Sequence, residues 1–238
     1  MIDTIFFDVG NTLRVVVKDE EFSRAAETEL MNLVGTSESH DAFFEKLQER
    51  WIKYRKAAKS GALDASEMEL WSQHLLPDYP INLICAVAGK LTRLWRDHDG
   101  RRVARPDVKD TLIELDRRGY TIGIIANTIT ETEIPDWMIE DEVARYFKCV
   151  ILSSKVRIRK PDPAIFLLAA RAIGKPPANC AYIGDNPVRD VDGAYEANYG
   201  KMVFIDTEKY GSKKIVRSPD HTITEISQLL DIFPAINE

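Results

Sequence analysis

Residues 2–13 show an abrupt change from apolar to polar positions. Ile5, Phe6 and Phe7 form an apolar run that stops at Asp8. Burying a carboxylate without partners is costly, so we expect Asp8 at the exposed carboxyl end of a buried strand, facing a cation or hydrogen-bond donors. In an open α/β sheet this is the edge where ligands bind.

The next stretch, from Lys18 to about Asp97, has the spacing of helices. Apolar residues recur there at intervals of three and four. Two of its helices are predicted at 66–75 and 81–95, after earlier helical turns that carry Phe22, Leu30, Phe43 and Leu47. Residues 14–17 are interpreted as a short apolar exit from the first strand. Because no strand-like alternation appears, the region is predicted to be an all-helical insertion, its helices packed by Trp51, Tyr54, Trp71 and Trp95.

Strands and helices alternate after Arg101. Strands are predicted at 120–126, 149–152, 180–183 and 202–205, and helices at 136–146, 163–173 and 188–197. Pro106 suits the first position of another helix, Gly119 suits the residue just after its end, and Ile223 with Leu229 suits a closing amphipathic helix. This order predicts right-handed crossovers and a parallel sheet covered on both faces. We therefore predict a Rossmann-like, doubly wound α/β core (residues 1–14 and 104–238) with an inserted all-helical domain (residues 15–103).

Composition narrows the functional classes. The chain has 238 residues, 45% of them hydrophobic, and a net charge of −6, which favours neither nucleic acid nor an anionic membrane as a partner. The absence of a long apolar run argues against membrane spanning. Cys85, Cys149 and Cys180 are widely spaced and odd in number, which is typical of reduced thiols and predicts a cytoplasmic protein.

Three of the predicted strands end in polar residues. Asp8, Asn127 with Thr128, and Asp185 would all project from the same edge of a parallel sheet. Two converging carboxylates make an all-oxygen site suited to a hard cation such as Mg²⁺. Lys160, in the loop after the third predicted core strand, is a natural counterpart for such carboxylates and for a phosphoryl oxygen.

Four separated motifs carry a resemblance to the haloacid dehalogenase-like (HAD) hydrolase superfamily. They are Asp8-Val9-Gly10-Asn11-Thr12, Ala126-Asn127, Lys160-Pro161-Asp162-Pro163, and Gly184-Asp185 with Asp190 five residues on. They occur in the order typical of the superfamily, each at a predicted strand end or in the loop that follows. The helical insertion lies where the resemblance implies a helical cap domain.

The resemblance implies a Mg²⁺-dependent phosphatase acting on a small phosphorylated metabolite. It makes Asp8 the nucleophile, which would form an aspartyl-phosphate. The implied metal ligands are Asp8, Asp185 and the carbonyl of Gly10, supported by Thr12 and Asp190. Lys160 would stabilise charge on Asp8 and on the phosphoryl group, which Asn127 and Thr128 would help to bind.

Two departures from the family pattern leave alternatives open. Gly10 stands where the phosphatases usually carry a general-acid aspartate, and Ala126 replaces a hydroxyl residue. These changes favour a catalytically impaired member that binds a ligand or partner. Carbon–halogen hydrolysis is a third reading, because it needs no leaving-group acid. Arg14 and the run Arg93, Arg96, Arg101, Arg102 and Arg105 would either be solvated or attract an anionic substrate. The sequence predicts no oligomeric state.

Overall fold

A computed structural model describes residues 1–207 and 217–236 of the chain. These residues contain eight strands: β1 (Thr4–Phe7), β2 (Arg14–Val17), β3 (Arg101–Ala104), β4 (Thr121–Ala126), β5 (Phe147–Leu152), β6 (Cys180–Gly184), β7 (Lys201–Ile205) and β8 (His221–Ile223). The helices are α1 (Glu20–Val34), α2 (His40–Gly61), α3 (Glu67–Glu69), α4 (Ile81–Asp97), α5 (Val108–Arg117), α6 (Glu133–Glu140), α7 (Ser153–Val156), α8 (Pro163–Ala172), α9 (Gly193–Glu196) and α10 (Leu229–Ile232). Two π-helical segments, Leu70–Leu75 and Pro187–Asp192, extend α3 and precede α9.

Six of the strands form one parallel sheet in the order β5-β4-β1-β6-β7-β8. The chain builds outward from β1 in one direction through β4 and β5, and in the other through β6, β7 and β8. The strand order therefore reverses at β1, which is where such sheets open a crevice at their carboxyl edge. The predicted doubly wound, Rossmann-like α/β fold is confirmed.

The central strand is buried on both faces because its side chains alternate. Ile5 and Phe7 pack into a core formed with α5, α6 and the carboxyl-terminal segment, whereas Phe6 packs on the opposite face against α8 and α9. Such two-sided burial explains why β1 is a continuous apolar run rather than an alternating one.

The helices between β2 and β3 form a separate hydrophobic core. Leu30, Phe43, Leu47 and Trp71 are fully buried in it, and the Trp71 indole N–H donates to the Thr92 hydroxyl at 2.8 Å. Helices α1 and α2 begin at residues whose side chains accept a backbone N–H, Asp19 and Ser39, and α1 ends at a left-handed glycine. The predicted aromatic packing is thus observed, with Trp51 only partly buried.

The structure corrects three sequence predictions. The segment 14–17 is not an irregular exit: it is strand β2, which pairs antiparallel with β3, so that the chain leaves and re-enters the core through one ribbon. Pro106 precedes α5 in a turn closed by the Val108 N–H and the Arg105 carbonyl. The closing segment is no single helix, because Ile223 pairs with Ile205 as a sixth parallel strand before the chain turns helical.

Among the described residues, every helix falls short of the combined length and apolarity that membrane crossing requires.

Candidate active site

Three neighbouring strands end together at the carboxyl edge of the sheet. Phe7 lies in register with Ile183 of β6 and with Ile124 of β4. The residues that follow these strands, including Asp8 and Asp185, are therefore neighbours. The Asp8 N–H donates to the Ile183 carbonyl at 2.9 Å, which anchors the turn that carries the carboxylate.

Three buried carboxylates meet at this edge. Asp8, Asp185 and Asp190 each present an oxygen, and these oxygens all lie within 4.8 Å of one another. Asp190 comes from the π-helical segment after β6 and accepts the N–H of Asn186 at 2.9 Å. A Cβ on residue 184 would lie 2.5 Å from the Cβ of Asp190, so only glycine at that position lets Asp190 approach the strand end.

Lys160 joins two of these carboxylates. Its Nζ lies 3.0 Å from Asp8 Oδ1 and 2.7 Å from Asp190 Oδ1, and it donates to the hydroxyl of Tyr182. Its backbone is held by Asn127, whose amide oxygen accepts the Lys160 N–H and whose amide nitrogen donates to the Lys160 carbonyl, both at 2.9 Å. The residue after β4 therefore positions the lysine loop.

The site carries more negative than positive charge. Burial, together with the nearby charges of Asp8 and Asp190, raises the pKa of Asp185 to about 7, against the smaller lowering effects of Arg189 and of the hydrogen bond from Asn11. Asn11 donates to Asp185 at 2.9 Å, and an Arg189 nitrogen lies 3.4 Å from it. Three converging oxygen donors with excess negative charge are the ligand set that Mg²⁺ prefers, so these residues fit a hard divalent cation.

The remaining predicted site residues lie close to this cluster. Gly10, Asn127 and Thr128 line the same cavity as Asp8. The Thr128 hydroxyl accepts the N–H of Thr130 at 3.2 Å, and the Thr128 N–H donates to Ser153 at 3.0 Å. The Thr12 hydroxyl is buried and has no hydrogen-bond partner among the residues described.

The cavity above Asp8 has a volume of about 260 Å³ and is rich in arginine. Its charged lining beyond Asp8 comes from the β2–β3 ribbon, the helical insertion and helix α6, with one arginine from the segment after β6. These residues are Arg14, Arg55, Arg96, Asp99, Arg102, Glu133 and Arg189. The cavity is therefore enclosed jointly by the sheet edge and by the inserted helices.

A single buried carboxylate organises three of these arginines. Glu133 accepts from Arg14 at 3.0 Å and from Arg96 at 2.9 Å, and lies 3.5 Å from Arg102. Burial alone would raise the pKa of Glu133, but the charges of Arg96 and Arg102 outweigh it and lower the pKa to about 2. Glu133 is therefore ionised at neutral pH.

A second buried network joins the helical insertion to the sheet. Asp64, just after α2, accepts from Arg159 at 2.8 Å and from Ser153 at 2.6 Å, and Tyr54 donates to it at 3.3 Å. Arg159 immediately precedes Lys160. This ion pair thus ties the insertion directly to the loop that carries the lysine.

Sequence reasoning missed several of these residues. Tyr182, Glu133 and Asp64 belong to none of the four motifs. The available signals were weak: Tyr182 is a polar-tipped residue in a buried strand two positions before Gly184, and Glu133 is the first residue of helix α6, where an acidic residue is common. Only folding shows that Glu133 and Asp64 face arginines that are distant along the chain.

The family follows from a comparison with known proteins. The family model described as haloacid dehalogenase-like hydrolase matches residues 2–198. The chain belongs to this family. The resemblance drawn from the four motifs is thereby confirmed, and this HAD-like chain is assigned to the hydrolases.

Two phosphatases are similar to this chain in sequence, and a solved structure is similar to it in fold. The HAD-like chain is 27% identical to the glyceraldehyde 3-phosphate phosphatase of Methanopyrus kandleri, over 98% of this chain and 97% of the relative. It is 34% identical to the phosphoserine phosphatase of Thermus thermophilus over 42% of this chain and 40% of the relative. In fold it resembles a 2-haloacid dehalogenase from Pseudomonas syringae pv. Tomato (TM-score 0.72, 22% identity, 98% of both chains).

Proposed function

We propose that the chain is a Mg²⁺-dependent phosphatase that acts on a small phosphorylated metabolite through an aspartyl-phosphate on Asp8. The observation that carries the proposal is the convergence of Asp8, Asp185 and Asp190, with the amino group of Lys160 in contact with Asp8 and Asp190. The names of the similar proteins point the same way, since they include phosphatases for glyceraldehyde 3-phosphate, phosphoserine and phosphoglycolate.

The roles follow from the chemistry of each group. An oxygen of Asp8 forms a bond to phosphorus while the bond to the leaving oxygen breaks, and water then releases phosphate and regenerates the carboxylate. Mg²⁺, held by Asp8, Asp185 and the carbonyl of Gly10, would supply the positive charge that lets two anions approach. Lys160 would stabilise the negative charge on Asp8 and on the transferred group. Asp190 and Thr12 would support this arrangement, and Asn127 and Thr128 would border the phosphoryl group.

The glycine at position 10 predicts which phosphates react well. General acid catalysis is typically worth about 10² to 10⁴ in rate, and Gly10 has no proton to give to the leaving oxygen. We therefore expect acyl and aryl phosphates to react faster than alkyl phosphates. A Cβ added at Gly10 would meet no atom within 4 Å, so the position has room for an aspartate.

We propose that residues 15–103 act as a cap over the site, with residues 1–14 and 104–238 as the core. The separate hydrophobic core of the inserted helices and the single β2–β3 ribbon support this division. Positions 208–216, 237 and 238 of the proposed core lie outside the described residues.

The second candidate function is binding of a ligand or partner without turnover. It is favoured by Gly10 and Ala126, which lack the acid and the hydroxyl of the usual phosphatase pattern. Dehalogenation is the less favoured third reading, because a paired Asp185 and Asp190 beside the nucleophile indicates a metal.

A substrate panel tests the three readings together. Acyl, aryl and alkyl phosphates and a 2-chloro carboxylic acid are incubated with and without Mg²⁺, and released phosphate and chloride are measured. Metal-dependent phosphate release that disappears in Asp8→Asn supports the phosphatase. Chloride release supports the dehalogenase, and no turnover of any substrate supports the binding protein.

Substitutions of Gly10 test whether the lack of a general acid at this position limits turnover. Gly10→Asp is expected to raise turnover of an alkyl phosphate by about 10² while changing that of an acyl phosphate much less. Gly10→Asn is the matched control, since it adds the same volume without the acid. An aspartate variant no faster than the asparagine variant would contradict the role assigned to position 10.

A further inference from the structure

The cavity above Asp8 has more arginines than acids to pair them. Among the residues that line the cavity, four arginines (Arg14, Arg55, Arg96 and Arg102) stand against two acids (Glu133 and Asp99), a surplus of two positive charges within the lining. The carboxylates of Asp64, Asp97 and Asp141 act on these arginines from outside the lining. Asp8 and Arg189 lie at the metal end of the cavity and do not change this balance. A site that gathers surplus guanidinium groups in a partly closed space is suited to a ligand of negative charge.

Two of these arginines are buried, which costs them hydration free energy. Arg14 is buried, and the Arg102 side chain is only 7% exposed. Burial and the neighbouring Arg96 lower the pKa of Arg102 to about 10, so it remains charged at neutral pH. Glu133 lies 3.0 Å from Arg14 and 3.5 Å from Arg102, and it also serves Arg96, so a single carboxylate is shared by three cations.

Arg55 is the arginine most available to a ligand. It extends from α2 over the ring of Trp51, with its guanidinium carbon 5.1 Å from the ring centre. Within residues 1–207 and 217–236 it forms neither an ion pair nor a hydrogen bond, although burial and the charge of Arg159 lower its pKa. Stacking on an indole holds a guanidinium in place while leaving its N–H groups free to donate.

We infer that the substrate carries a second anionic group, a carboxylate or a second phosphate, which binds Arg55 and the Arg14–Arg96–Arg102 group while the reacting phosphate lies at Asp8. The inference rests on the proposed phosphatase function and narrows its substrate class. A cavity of about 260 Å³ is at the small end for ligand sites, so the two anionic groups are separated by a short chain. Neutral sugar or aldehyde phosphates leave the surplus charge unmatched.

Binding of unreactive analogues tests the inference without turnover. Titration calorimetry in Mg²⁺ compares 3-phosphonopropionate, 3-hydroxypropylphosphonate and propane-1,3-diphosphonate. The wild-type protein is expected to bind at least one of the two probes with a second anionic group, 3-phosphonopropionate or propane-1,3-diphosphonate, about 10- to 100-fold more tightly than 3-hydroxypropylphosphonate. The reason is that hydrogen bonds from guanidinium groups to anions are strong. Tighter binding of 3-phosphonopropionate identifies a substrate with a carboxylate, and tighter binding of propane-1,3-diphosphonate identifies a bisphosphate.

Variants of Arg55 test whether this residue causes the tighter binding of the probes with a second anionic group. Arg55→Gln is expected to reduce it about tenfold or more, and Arg55→Lys to reduce it partly, because lysine keeps the charge but loses the planar fork. Lys56→Gln is the matched control: it removes the same charge from the next residue of α2, which is exposed and does not line this cavity. Circular dichroism checks that all three variants are folded.

The outcomes separate this inference from the proposed function. Equal binding of all three probes by the wild-type protein, or an unchanged preference in Arg55→Gln, would overturn the inference. A preference that depends on Arg55 supports it even where no phosphate ester is hydrolysed, and that combination would reject the phosphatase instead. Turnover of phosphate esters without discrimination between charged and neutral chains would overturn the inference and leave the phosphatase intact.

Discussion

Replacing Glu133 with glutamine removes the one negative charge shared by Arg14, Arg96 and Arg102. The exchange keeps the shape of the side chain, so its main effect is electrostatic. The pKa of Glu133 is lowered from its ordinary 4.5 to about 2, and each unit corresponds to about 1.4 kcal/mol of interaction that favours the charged form in the folded protein. The lowered pKa of Glu133 therefore predicts a loss of about 3 kcal/mol of folding free energy, of the order expected when a buried ion pair loses one partner.

Urea denaturation at pH 7 measures this loss. A carboxylate with a lowered folded pKa stabilises fully above its unfolded pKa and loses that stabilisation as the pH falls toward the folded value. The gap between wild type and Glu133→Gln should therefore shrink to about half by pH 3. Glu140→Gln, an exposed position on the same helix, is the control and should change stability by less than about 0.5 kcal/mol. A gap below about 1 kcal/mol at pH 7, or one that widens toward pH 3, would refute the electrostatic account.

Three further predictions concern stability and metal binding. Arg159→Met leaves the buried Asp64 carboxylate without its cation and should cost about 3 to 5 kcal/mol in urea denaturation; equal stability would show that the network does not tie the insertion to the sheet. Mg²⁺ at 100 times its dissociation constant should stabilise the folded protein by about 2.7 kcal/mol, and Asp185→Asn should abolish most of that gain, whereas a gain retained in the variant would exclude Asp185 as a ligand. Leu30→Ala in the core of the inserted helices should cost about 2 to 5 kcal/mol, against under about 0.5 for the exposed Ile52→Ala; equal costs would contradict that core.

The order of strands and helices in the core could be predicted from the sequence because the spacing of apolar residues differs between the two kinds of element. The predicted strand at 120–126 is β4, and the left-handed Gly119 follows the end of α5 as its sequence position suggested. Two of the three errors fell on segments stabilised by pairing with another strand. β2 is held by β3, which lies more than eighty residues away, and β8 is held by β7, so the partner that makes each segment a strand is not visible in its own few residues.

The sequence by itself determined the doubly wound fold, the family and the identity of the polar residues at three strand ends. Local periodicity and the fixed direction of parallel strands suffice for that, because they bring every strand's carboxyl end to one edge. Tertiary structure alone decided that Asn127 holds the backbone of Lys160, that Lys160 contacts Asp190 as well as Asp8, and that Glu133 gathers Arg14, Arg96 and Arg102. These contacts join residues far apart in the chain, and their energies depend on burial and on charge neighbours that no local pattern encodes.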